Sequence, residues 1–345
     1  MSQYTSTGDM PWEPNFSISA EGSDITDEIR ENLINLQITD YGGGQKKSDQ
    51  IAISIVSEHL DLPKKGAKLE VGIGFGQELV DKGTFVVDAV NSGGSGNGPR
   101  LVQIVGRSFS KSNAYGHSTV QSQRLRSFSN ITLGDLLNTI ATEHGLTPRV
   151  PDELASKMLV HVDQLHESDM NLVTRLAASA GAVSKISHGY WILSSRDATT
   201  TISGKDLKKY TVQRDMTDNW SYHSNSDHPD SSSGGNGTQV ISYYDLGTGT
   251  NKSITIGSGE PVMHLNEPTL SDAQELASAF STTSKKKLVG MSVTMPAELE
   301  MMDLTAQCLI TTSGFGTVED RDWHISKLDF SLTPQAGMIV TMELE

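Results

Sequence analysis

Most of this chain is cut into short runs in which apolar and polar residues alternate, with turn-forming residues between them. Phe16, Ile18 and Ala20 alternate, as do Leu36 and Ile38, then Ile51, Ile53 and Ile55, then Leu69, Val71 and Ile73, then Phe85, Val87 and Ala89. Between the runs stand Glu21-Gly22-Ser23, Asp40-Tyr41-Gly42-Gly43-Gly44, Leu62-Pro63, Lys65-Gly66 and the glycine-rich loop from Ser92 to Gly98. A period of two turns one face of each run toward a core, and glycine and proline supply the backbone for reversals. Such a series predicts an antiparallel sheet, closed or nearly closed into a barrel, over residues 1–128. Residues 201–345 have the same character, with four strands expected at Leu288–Met295, Leu304–Thr311, Trp323–Leu332 and Met338–Leu344. This second barrel carries a helix near 271–284 and a mobile loop near 224–237, and segments are free to interleave between the barrels.

The period changes in the middle of the chain, where residues 129–200 read as a small α+β domain. Thr132-Leu133-Gly134-Asp135 is a capping-box-like start; Leu133, Leu136, Leu137 and Ile140 form a buried stripe, Gly145 stops the helix and Pro148 blocks its continuation. A second helix starts at Ser168 as N-cap, with Asp169 in its positive first turn. Its stripe is Leu172, Val173, Leu176, Ala177 and Ala180, and Gly181 is its stop. Just before it, an alternating run ends at His161, Val162 and Asp163, and an acidic turn is expected through Glu167, Ser168 and Asp169. Residues 108–129 read as polar and irregular, and Gly181 to Ser194 as a hairpin reversing at Ser187-His188-Gly189.

Composition narrows the function classes. A single cysteine, Cys308, rules out an intramolecular disulfide and a cysteine-based zinc cluster. A net charge of −15 argues against specific nucleic-acid binding, which needs cations against phosphates. No apolar run approaches the ~20 residues of a bilayer span, so no membrane anchor is expected. The first residues lack a basic stretch followed by an apolar core, so no secretory signal is expected either.

His161, Asp163, His166, Glu167 and Asp169 are ligand types for a divalent metal, but their spacing does not match a helix-borne metal motif, and helix capping accounts for the acidic end. Val71-Gly72-Ile73-Gly74-Phe75-Gly76 sits in a hairpin with no following helix to cradle phosphate. Glycoside hydrolysis needs two carboxylates across an aromatic-rich cleft, and an aromatic fraction of 6% is meagre for one. The sequence therefore assigns no catalytic residue, cofactor or metal.

The stretch His161-Val162-Asp163-Gln164-Leu165-His166-Glu167-Ser168-Asp169, continuing to Ala177, resembles the signature of the late-control protein D family of contractile-tailed phages. Further segments resemble the same family in order: Phe16 to Thr26, Ser48 to Ile55, Leu62 to Gly74, Asp81 to Asp88 and Asn138 to Val150. The likeness is densest from Phe16 to about Gly189. It implies a fold of two tube-protein-like antiparallel β-barrels plus a small helix-and-strand domain. It also implies a homotrimeric baseplate hub that joins a hexameric tail tube to a trimeric tail spike, with further baseplate proteins and the tape-measure protein as neighbours. DNA would pass through its channel. The location implied is the tail baseplate of a virion, assembled in the host cytoplasm. His161, Asp163, Gln164, Glu167, Ser168 and Asp169 mark the family as a fold element. A hub-associated cell-wall hydrolase and a receptor- or carbohydrate-binding tail-tip module are the alternatives.

Overall fold

The computed structural model describes residues 12–42, 48–59, 61–108, 119–195, 198, 200, 206–224, 237–245, 247–258, 262–267, 269–270, 273–274, 276–277 and 289–345. The fold is mainly β, with an α+β insert. Its centre is the strand Leu33–Tyr41, which has antiparallel neighbours on both sides. Leu36 and Ile38 stand opposite Ile53 and Ile51 on one side, and opposite Leu332 and Phe330 on the other. These alternating apolar side chains share a face, so register and burial reinforce one another.

From that strand the sheet extends through Gln50–Val56, Leu101–Arg107, Glu78–Gly93, Lys68–Phe75 and Pro14–Ala20 to the short Ser23–Asp24. In the other direction it runs through Asp322–Thr333, Gly337–Leu344 and Val289–Pro296 to Asn219–Ser224. Leu309–Ser313 joins Asp322–Thr333 and carries Lys209–Gln213 as a parallel partner, completing thirteen strands. Two barrels, closed or nearly closed, were the expectation; among the described residues the strands form one open sheet and no closed barrel. The strand Asp322–Thr333 is the reason, because it is shared: its later residues pair with Leu33–Tyr41 and with Gly337–Leu344, its first residues with Leu309–Ser313. One apolar cluster, from Phe16 and Ile18 to Val340 and Leu344, underlies the strands from both ends of the chain.

The α+β unit has its own core. Leu133, Leu136, Leu137 and Ile140 of the helix Leu133–Glu143 pack with Leu172, Val173 and Leu176 of the helix Asp169–Ser179, and with Trp191 and Leu193. Each such fully buried side chain stabilises the unit by about 1.5–3 kcal/mol. Thr132 accepts a hydrogen bond from the Asp135 amide, and Ser168 accepts one from the Asn171 amide, so both helices start at their expected caps. Ala182–Ser187 and Tyr190–Ser195 form the hairpin, turning on His188 and Gly189, both at positive φ.

Two expectations fail here. Residues 123–132 are a strand, Gln123–Thr132, paired along its length with Met158–Ser168. The acidic turn before the second helix is likewise strand up to Ser168, with a bulge at His166, whose φ is 52°. A fourth sheet, from Gly237–Asp245, Thr250–Ser258 and Val262–Glu267, shares no strand with the others. Residues 225–236 of the mobile loop expected near 224–237, and most of the helix expected near 271–284, lie outside the described residues.

Candidate functional site

The paired strands Gln123–Thr132 and Met158–Ser168 bring the polar residues of the middle segment together around one buried carboxylate. Asp169 has no solvent exposure. Its Oδ1 accepts from Arg126 Nη2 at 2.7 Å and from Gln164 Nε2 at 2.8 Å. Its Oδ2 meets His144 Nε2 at 2.7 Å and Arg124 Nε at 3.1 Å. Four donors therefore occupy about all the lone-pair directions a carboxylate has. Because the carboxylate only accepts, His144 Nε2 carries a proton, and the Nδ1 on the far side of the ring meets the Thr119 hydroxyl at 2.9 Å.

Glu143 closes the cluster from the end of the first helix, at 2.6 Å from Arg124 and 2.8 Å from Arg126. Two guanidinium groups thus face two carboxylates, and the formal charges cancel. Gln164, also fully buried, accepts from Arg126 Nε at 2.7 Å and donates to the Glu167 carbonyl at 2.8 Å. Arg124 and Arg126 are what sequence reasoning missed. They alternate with Leu125 and Ser127, a strand signal obscured because the inward-facing residues are cationic rather than apolar.

Glu143, His144 and Asp169 offer ligand atoms close enough to hold a metal ion. The donor set does not suit one, since an ion there would have to displace two guanidinium groups from the same oxygens. The sequence-derived metal candidates are not brought together. His161 and Asp163 form an exposed pair at 3.1 Å, and Asp163 accepts from the Ser127 hydroxyl at 2.5 Å. That hydrogen bond, with His161 nearby, holds the Asp163 carboxyl below its usual range. His166 is exposed, and Glu167 pairs with Arg175 at 2.9 Å. Ser168 is spent on capping the helix.

A second polar cluster lies where the α+β unit meets the large sheet, at the edge of a cavity of about 590 Å3. Lys185, on the hairpin, forms an ion pair with Asp40 and lies 3.1 Å from Asp49. Burial pushes the Asp49 carboxyl up to about 6, against the pull of Lys185. Burial also works against the Lys185 ammonium, but Asp40 and Asp49 outweigh it and the net shift is upward. Lys82, which also lines the cavity, donates to the Met302 carbonyl and lies over the Phe330 ring at 4.6 Å. Burial lowers its ammonium to about 8.

The fold itself is similar to that of solved phage tail proteins. The 43 kDa tail protein of prophage MuSo2 from Shewanella oneidensis superposes with a TM-score of 0.70 at 15% identity, over 96% of this chain and 98% of that one. The chain belongs to the phage tail baseplate hub (GPD) family, whose profile matches residues 118–336. It is 32% identical over 206 residues to the probable baseplate hub protein of Escherichia phage 186, covering 59% of this chain and 51% of the relative. With its counterpart in Escherichia phage P2 it is 33% identical over 202 residues, covering 58% and 50%. The chain thus spans about half the length of the curated relatives it matches.

Proposed function

We propose that this chain is a structural hub of a contractile tail baseplate, located in the virion and assembled in the host cytoplasm. The observation that carries the reading is the family match over residues 118–336, which contains the whole Asp169 cluster. The hub acts by shape, as a homotrimer set between a hexameric tail tube and a trimeric tail spike, with other baseplate proteins and the tape-measure protein beside it. The strands on either side of Leu33–Tyr41 are assigned as its two tube-like halves, 1–128 and 201–345 with shared segments, and 129–200 as the small domain. His161, Asp163, Gln164, Glu167, Ser168 and Asp169 serve folding and perform no bond chemistry. Their hydrogen bonds to Arg126, Ser127, Arg175 and backbone amides support this.

Three chains would carry 3 × (−15) = −45 formal charges, which supports an acidic channel that DNA passes without sticking. The test mixes the purified chain with its tube and spike proteins and measures stoichiometry by native mass spectrometry. Three copies per spike trimer are expected; turbidity loss of a peptidoglycan suspension with the chain alone would instead favour the hydrolase reading.

A further inference from the structure

The two-stranded ribbon of Gln123–Thr132 and Met158–Ser168 is inside out. Its inward face carries charge: Arg124 and Arg126 reach Asp169, and Gln164 is fully buried beside them. Its outward face carries leucines. Leu125 and Leu165 stand directly opposite one another in the register, and they are 66% and 64% exposed. Further along the second strand Met158 and Val160 are about half exposed as well. Turning the two arginines toward Asp169 explains why Leu125 points outward, because side chains alternate along a strand. It does not explain why a leucine stands there, since the next two exposed positions of the same kind are Ser127 and Ser129. An apolar cross-strand pair gains by leaving water, and this pair has nothing over it.

Beside the leucines the outward face is polar and tied to itself. Asp163 accepts from the Ser127 hydroxyl and lies 3.1 Å from His161 Nε2, while His161 Nδ1 meets the Ser129 hydroxyl at 2.9 Å. Arg175 is spent on Glu167 and on the Asp163 carbonyl. With histidine counted as neutral, the Asp163 carboxylate is thus the one formal charge among the outward side chains Leu125, Ser127, Ser129, His161, Asp163 and Leu165.

We propose that this outward face is a docking surface for an extended segment of a different chain, apolar where it meets Leu125 and Leu165 and carrying a lysine or arginine opposite Asp163. Charge and size both select that occupant. A second copy meeting the face symmetrically would set Asp163 against Asp163, and each chain already carries −15. Ten residues at ~3.3 Å each and two strands ~5 Å apart make a face of about 300 Å2, well under the ~800 Å2 per partner of a standard interface. The face therefore suits a segment rather than a whole domain or a dimer of this chain. Asp163 thereby has a second role beside the ribbon's own hydrogen bonds. The proposal rests on the hub reading, which surrounds this chain with chains of other kinds.

Cys308 is the chain's only cysteine and is buried, so a cysteine introduced on this face reports alone. Leu125→Cys and Leu165→Cys chains are treated with a maleimide, both free and in purified tail particles. Labelling is expected in the free chain at every concentration and lost in the particle. A benzoylphenylalanine in place of Leu125, irradiated in the particle, should cross-link to a peptide of another chain that contains lysine or arginine. Leu125→Asp should melt like the wild type yet lose about tenfold in competition with it for incorporation. A chain missing from the particle would overturn the hub reading and this proposal with it. A chain present there but labelled as fast as the free one overturns the docking face alone. Protection that grows with concentration in the free chain would assign the face to a second copy, and a cross-linked peptide without a basic residue would remove the charge pairing; either result overturns the proposal, as does full incorporation of Leu125→Asp.

Discussion

Replacing Asp169 with alanine tests whether the family signature is a folding device. The substitution leaves Arg126, Arg124, Gln164 and His144 with donors aimed at an empty space, and His144 and Gln164 are themselves buried. Removing one partner of a buried ion pair costs about 3–5 kcal/mol, because the other charge stays behind uncompensated. The guanidinium groups keep some access to water, at 22% and 33% exposure, and Glu143 still faces them. That places the expected loss at the lower end, about 3 kcal/mol. Urea unfolding combined with hydrogen exchange of peptides spanning Leu133–Glu143 and Asp169–Ser179 reads this loss in the α+β unit separately from the sheet. Asp163→Ala is the control, since Asp163 is exposed and its hydrogen bonds are to surface groups, so no measurable change is expected. Equal effects at the two positions would refute the reasoning, as would an Asp169→Ala chain as stable as wild type.

Gly83 holds φ at +96°, and a Cβ there would overlap the His188 ring on the hairpin. Gly83→Ala should cost roughly 1–3 kcal/mol in thermal unfolding, with part of the loss recovered when His188→Ala is added. Thr132→Ala removes the cap on the Asp135 amide and should cost about 1 kcal/mol, read in a urea melt; Thr132→Ser should keep most of the stability.

Much of the architecture is legible in the sequence where apolar residues carry the period. The stripes Leu133–Ile140 and Leu172–Ala177 give both long helices, and Ser168, Thr132, Gly145 and Gly181 give their ends. The strands of the large sheet follow from alternation for the same reason. Gln123–Thr132 is hidden because its inward residues include Arg124 and Arg126, whose burial becomes favourable only once Asp169 and Glu143 stand opposite. The bulge at His166 is hidden too, since the acidic run around it looks like turn chemistry when read locally. No local pattern indicates that Asp322–Thr333 crosses the molecule to pair with Leu33–Tyr41, nor that Lys185 meets an aspartate 145 positions away. Such pairings are decided by which faces remain to be buried after local structure forms.

The central claim is that this chain is the hub of a tail tip. Electron cryo-microscopy of the assembled particle tests it most directly. Density for the thirteen-stranded sheet is expected in three copies between the end of the tail tube and the spike. Finding the chain elsewhere along the tail, or absent from the particle, would contradict the account.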